Sequence, residues 1–146
     1  PDELRYIKIS DIRVKEQAVY VSSSVSKNRK GQYVALNDEL IKEMIFQHVF
    51  ETPSTDYLFS ENLKPGSTQL HVNKLRIEWK KVRAALRFPE TYQFYSLKDA
   101  GIRDLANAEG IVIARDQARH SDISVTNRYL KTSGVDDKAK HFKGTL

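Results

Sequence analysis

The run Arg119-His120-Ser121-Asp122-Ile123-Ser124-Val125-Thr126-Asn127-Arg128-Tyr129 decides how this chain is read. Tyr129 stands nine residues after His120, a spacing that suits a tyrosine nucleophile working beside a phosphate-binding histidine. On one unbroken helix that separation is about two and a half turns, which would put the side chains on opposite faces about 13 Å apart. A break between them is therefore required. Ser121 and Asp122 supply it, because both residue types are favoured N-caps and Ile123 then opens a short amphipathic stretch. His120 is expected just before a helix start, where unpaired N–H groups and the positive end of the dipole favour an anion such as phosphate. Thr126 and Tyr129, three positions apart, share one face of that helix. A capping loop whose tyrosine simply packs its ring is the bland alternative, so the pair needs company from the rest of the chain.

Upstream, residues 111–119 read as a short helix feeding this segment. Before it, Ser96 can cap a helix over 97–108 ended by Gly110, with Leu97, Gly101, Leu105 and Ala108 on one side. Leu75, Trp79, Val82 and Leu86 recur at helical spacing among basic residues, and the tryptophan is expected in the core. Pro53, Pro65 and Gly66 punctuate a loop around Tyr57-Leu58-Phe59. Asp38 looks like the N-cap of a helix reaching Phe50, with Leu40, Ile41, Met44, Ile45 and Val49 as its buried stripe. Two β-rich runs, 18–22 and 32–36, flank a polar loop over 24–31 carrying Lys27, Arg29 and Lys30, which predicts a hairpin with a basic tip. An amphipathic helix is expected over 2–9, giving way at Ser10-Asp11. The tail from Thr132 holds Gly134, a cap at Asp136 or Asp137, and Lys138, Lys140 and Lys143, a pattern for a short helix that docks elsewhere. The fold class that emerges is mainly α with a small antiparallel β-hairpin or sheet.

Composition narrows the function classes. A length of 146 residues with 40% hydrophobic and 29% charged content suits one soluble domain with a real core. Lys and Arg exceed Asp and Glu by 24 to 19, a net +5 that fits a polyanionic partner without demanding one. With no cysteine, disulfides and thiolate metal sites are excluded, and His48, His71, His120 and His141 lack ligand spacing, so no metal is expected. No apolar run approaches the roughly 20 residues of a membrane span, and no signal-peptide pattern is present, so a cytoplasmic protein is expected. The chain begins at Pro1, inside an amphipathic segment, which predicts an excised fragment.

The order of these elements, helix, basic hairpin and then several helices ending in His-x5-Thr-x2-Tyr, resembles the catalytic domain of the tyrosine recombinases, the phage integrase family, over nearly the whole chain. Glu3 fits the glutamate of the family's Arg-x-x-Glu pattern, whose arginine would precede Pro1. Lys27 matches the family's hairpin lysine, with Lys30 the weaker candidate; His120, Thr126 and Tyr129 match its histidine, threonine and nucleophile. Two departures stand out. Tyr95 and Lys98 occupy the positions of the usual His-x-x-Arg, and Arg119 replaces the glycine before the second histidine. An arginine fork grips two phosphate oxygens at once whereas lysine offers a point charge, so the exchange at Lys98 is not conservative.

What the resemblance implies is site-specific recombination, integration or excision, by DNA strand cleavage and rejoining. Tyr129 would attack a DNA phosphate, displace the 5′ oxygen and leave a 3′-phosphotyrosine that keeps the bond energy for religation without ATP or any other cofactor. His120 and Lys98 would stabilise charge on the phosphate oxygens, Lys27 would protonate the departing 5′ oxygen, and Tyr95 would either donate to a phosphate oxygen or pack its ring. Arg29, Lys30, Arg119 and Arg128 are the candidate DNA-phosphate contacts. The expected partners are double-stranded DNA and further copies of the protein in a tetramer on DNA, on the bacterial nucleoid, with residues 1–146 forming one catalytic-domain fragment that lacks the core-binding domain and is itself inactive. A type IB topoisomerase-like nicking-closing enzyme and a non-catalytic DNA-binding domain on the same scaffold remain as alternatives. An RNA- or protein-binding helical module explains the ordered cationic and aromatic positions less well.

Overall fold

Alternation of Val19 and Val21 with Tyr20 makes one face of the run around residue 20 apolar, and that face is buried in the structure. In the computed structural model, which describes residues 2–26, 29–122 and 124–126, strands β1 (Ile12–Arg13), β2 (Ala18–Val21) and β3 (Gln32–Ala35) form an antiparallel sheet in the order β1-β2-β3. The register pairs Val19 with Val34 and Tyr20 with Tyr33, and the two tyrosine rings meet on the outer face at 5.1 Å. Both expected β-runs are present. β1 adds a strand too short to leave a pattern.

Helices α1 (Asp38–Phe46), α2 (Lys74–Ala85), α3 (Ser96–Glu109) and α4 (Ile111–Ala118) supply most of the regular structure, so the chain is mainly helical with a small antiparallel sheet, as its sequence predicts. It divides into two compact units, Pro1–Ala100 and Gly101–Leu146. In the first, Ile7, Ile9, Ile12, Val19, Met44, Val49 and Leu58 form the core, with Leu4, Val34, Leu36, Phe50 and Phe59 packed against it. In the second, Ile102, Ala114 and Ala118 are buried against Leu105 and Ala106.

Several local expectations are corrected. Residues 2–9 are not one amphipathic helix: a 3₁₀ turn at Asp2–Tyr6 stops before Ile7, and a second covers Ile9–Asp11. Here tertiary pairing overrides local pattern, because Ile7 O accepts from Leu58 N at 2.8 Å and Ile9 N donates to Asp56 O at 2.9 Å. The cap of α1 is Asn37 rather than Asp38, its Oδ1 accepting from Leu40 N at 2.9 Å. Asp38 instead accepts from the side chain of Gln17. α1 ends at Phe46, short of Phe50, because His48 turns left-handed at φ 56° and the chain restarts as a 3₁₀ turn at Val49–Glu51. Of its expected stripe, Ile41, Met44 and Val49 are buried while Leu40 and Ile45 are exposed. Trp79 is not core either, since α2 buries no residue. Its indole N–H donates to Tyr92 O at 2.8 Å, and its ring meets Phe94 edge-on.

The buried face of α3 is also rotated from expectation. Ile102, Leu105 and Ala106 face the core of the second unit, whereas Leu97, Gly101 and Ala108 are exposed. Ser96 opens the helix, its Oγ accepting from Gln93 N at 3.1 Å. Gly110 follows Glu109 at φ 95°, a conformation that a side chain would strain, and lets α4 start at once.

Candidate active site

In the second unit, α4 ends in paired backbone bonds: Arg119 N donates to Asp116 O and His120 N to Arg115 O, each at 3.0 Å. This closure needs a left-handed residue, and Arg119 supplies it at φ 58° and ψ 37°. Glycine takes that conformation without cost, while a residue with a Cβ pays about 1–2 kcal/mol for it. The arginine is accommodated at a position whose geometry favours glycine. The turn leaves His120 directly ahead of the next helical residues, Ser124 to Thr126. Asp122 caps them, Oδ1 accepting from Ser124 N at 2.8 Å, while its carbonyl accepts from Val125 N at 3.2 Å. The expected break after His120 is thus present, with Asp122 as its cap.

His120 is only partly exposed and is held across this break. Its Nδ1 lies 2.9 Å from Thr126 Oγ1, and Thr126 is 0% exposed. Sequence spacing singles out Thr126 as a neighbour of the tyrosine and gives no sign that it bonds the imidazole. Tyr129 and Arg128 lie outside the described residues.

In the first unit, Lys98 occupies the opening turn of α3 with Nζ 5.7 Å from the centre of the Tyr95 ring, close enough for a cation–π contact. Tyr95 is 45% exposed, so it is not a packed core ring. Beside them Asp99 Oδ1 is buried without a hydrogen-bond partner among the described residues. Nothing in the pattern of α3 distinguishes that carboxylate from a solvated one.

The hairpin loop begins as a serine turn. Ser26, buried, donates its N–H to Ser22 O at 2.9 Å, and Arg29 N donates to Ser26 O at the same distance. Arg29 is left-handed at φ 54°, and both Arg29 and Lys30 are exposed. Lys27 lies outside the described residues. At the return of the loop, a Cβ on Gly31 would meet the Tyr20 hydroxyl, the far end of an exposed side chain that would have to shift to admit it. On α2, Lys81 and Lys74 each reach Glu78 Oε1 at 3.0 Å. Their hydrogen bonds, that of Lys81 foremost, hold the Glu78 carboxyl below its ordinary value. With two lysines so occupied, α2 is a weaker anion-binding face than its basic count suggests. Among the described residues no helix is long and apolar enough to cross a membrane, and no three or more His, Asp or Glu side chains gather as a metal site.

Among the solved structures with a similar fold are two recombination proteins. The crystal structure of XerA recombinase superposes with a TM-score of 0.72 at 18% identity, over 95% of this chain and 49% of that one. The Tn1549 transposon integrase, solved in complex with a circular intermediate DNA, superposes with a TM-score of 0.67 at 19% identity, over 96% of this chain and 52% of that one. The chain therefore spans about half the length of either structure. No curated protein sequence matches it. At the level of sequence, the profile of the Phage integrase family matches residues 1–134. That match covers all but the last part of the chain, including every residue from the hairpin to Tyr129, and it places this chain in the phage integrase family.

Proposed function

We propose that this chain is the catalytic portion of a site-specific DNA recombinase that cuts and rejoins strands through a 3′-phosphotyrosine on Tyr129. The observation that carries the reading is the His120–Thr126 pair, held across a helix start with the imidazole at 2.9 Å from a buried hydroxyl and three residues ahead of Tyr129 in sequence. Tyr129 gives up its phenolic proton to solvent and attacks the phosphorus, breaking the bond to the 5′ oxygen, while His120 and Lys98 stabilise charge growing on the non-bridging oxygens. Lys27, on the hairpin, protonates the departing 5′ oxygen. Tyr95, exposed beside Lys98, donates a further hydrogen bond to phosphate. Double-stranded DNA is the substrate, and copies of the full-length protein assemble as a tetramer on it. Alone, the 146-residue chain cleaves slowly, because it corresponds to about half of the structures it resembles and meets phosphate with Lys98 in place of a guanidinium fork.

Covalent trapping on a nicked duplex tests the reading, with adducts resolved from free protein on a denaturing gel. A non-catalytic DNA-binding domain would bind and form none. A type IB topoisomerase-like enzyme would form the adduct but relax supercoils without exchanging strands between two sites.

Lys98 is expected to limit the rate. Lys98→Arg gains a bidentate grip on the phosphate and should speed adduct formation about tenfold, equivalent to roughly 1.4 kcal/mol of transition-state stabilisation. Lys98→Ala should slow it by a similar factor or more. Equal initial rates for all three proteins would remove Lys98 from the site.

Arg119→Gly should act in two opposite directions. Relief of the left-handed strain outweighs the backbone freedom of glycine, for a net gain in stability of about 0.5–1 kcal/mol in urea unfolding. Loss of a phosphate contact should weaken DNA binding across all sequences and lower the salt dependence by about one ion. An unaltered salt slope would take Arg119 out of the DNA-contacting set.

A further inference from the structure

We infer that Thr126 is a positioning residue for His120: its hydroxyl donates to Nδ1 and holds the imidazole in the tautomer that carries its proton on Nε2. Thr126 is 0% exposed, with Oγ1 at 2.9 Å from Nδ1. A threonine hydroxyl can donate or accept, and burial decides between the two. Were Nδ1–H the donor, the hydroxyl proton would need an acceptor of its own. His120 is the hydrogen-bond partner of Thr126 among the described residues, and a buried donor left unmade costs more than an ordinary hydrogen bond contributes. Donation by Thr126 satisfies the buried proton and the ring nitrogen together.

The consequence follows from the distinct roles of the two ring nitrogens, since the bond made by one fixes the protonation of the other. With the proton on Nε2 the ring donates to a non-bridging phosphate oxygen. In the opposite tautomer an unprotonated Nε2 would turn a lone pair toward an anion. The six-residue reach from His120 to Thr126 also spans the Asp122 cap, so ring orientation is tied to the start of the segment that leads to Tyr129. This role rests on the phosphotyrosine reading for its purpose, whereas the tautomer is measurable without DNA.

The test is the histidine ring ¹⁵N spectrum of the full chain at about pH 8.5, well above the ordinary histidine value of about 6.5, with the His120 signals identified by their loss in His120→Gln. Wild type should show the Nε2–H tautomer alone, Thr126→Val a mixture, and Thr126→Ser a return to wild type. A wild-type ring protonated on Nδ1, or a Thr126→Val spectrum identical to wild type, overturns the proposal. Should Thr126→Val fail to fold, the wild-type and Thr126→Ser spectra still decide it. In covalent trapping, Thr126→Val should slow adduct formation about ten- to a hundredfold, by analogy with other groups that orient a reacting ligand, with DNA binding unchanged and with rescue by Thr126→Ser. An unchanged rate overturns the positioning role. Absence of any adduct from wild type counts against the phosphotyrosine reading alone.

Discussion

Tyr129→Phe should abolish the covalent protein–DNA adduct while leaving DNA affinity within about twofold of wild type. The substitution removes one oxygen and keeps the ring and the charge, so the proposed nucleophile alone is lost. Removing the attacking atom of a cooperating set costs nearly the whole rate enhancement, of the order of 10⁴–10⁶-fold in a hydrolase that works through a covalent intermediate. The signal should therefore drop to background rather than decline by degrees. His120→Ala gives a useful contrast, since it should slow adduct formation without removing the atom that forms the bond. An adduct of wild-type yield from Tyr129→Phe would move the nucleophile elsewhere and end the assignment.

The largest expected stability effect lies away from the site. Leu70 is only 1% exposed, and its carbonyl accepts from Arg5 Nε at 2.7 Å. Close by, Ser60 Oγ donates to Thr68 O at 2.5 Å, tying down the segment that leads into Leu70. Leu70→Ala should cost about 2–5 kcal/mol, the usual range for a buried leucine whose surroundings relax only partly. Urea unfolding should show a lower midpoint with the slope kept. Ile45→Ala, at a site 56% exposed, should stay within about 0.5 kcal/mol of wild type. A loss under about 1 kcal/mol at Leu70 would mean that the segment folds back over the gap, and that Arg5 rather than the leucine holds it.

Much of this protein is legible from residue order and local preference, for identifiable reasons. The strands around Val19 and Val34 announce themselves by alternation, the α3–α4 junction by Gly110, and the break after His120 by Ser121 and Asp122. Each is a local signal, carried by residues whose own conformational preferences produce the feature. The order of His120, Thr126 and Tyr129 is equally plain, because spacing along a chain needs no fold to be read. Membership of the phage integrase family agrees with that order. The departures at Tyr95, Lys98 and Arg119 are visible too, and the left-handed turn at Arg119 gives one of them a physical meaning.

Other features have no local signal. Leu70 sits in the polar stretch Thr68-Gln69-Leu70-His71, and Trp79 carries every mark of a core residue yet lies on a helix that buries nothing. The opening residues have helical periodicity, but bonds from Leu58 and to Asp56 draw Ile7 and Ile9 out of it. The bond between His120 and Thr126 depends on how the chain bends between them. Backbone preference and residue order act over a few positions, so the amino-acid string alone could set the type of most elements, the cap after α4 and the succession of candidate reactive groups. Dryness at Leu70, the rotated face of α3 and the partner of the imidazole depend on segments far apart or on a turn's geometry, and those were decided only when the chain closed on itself.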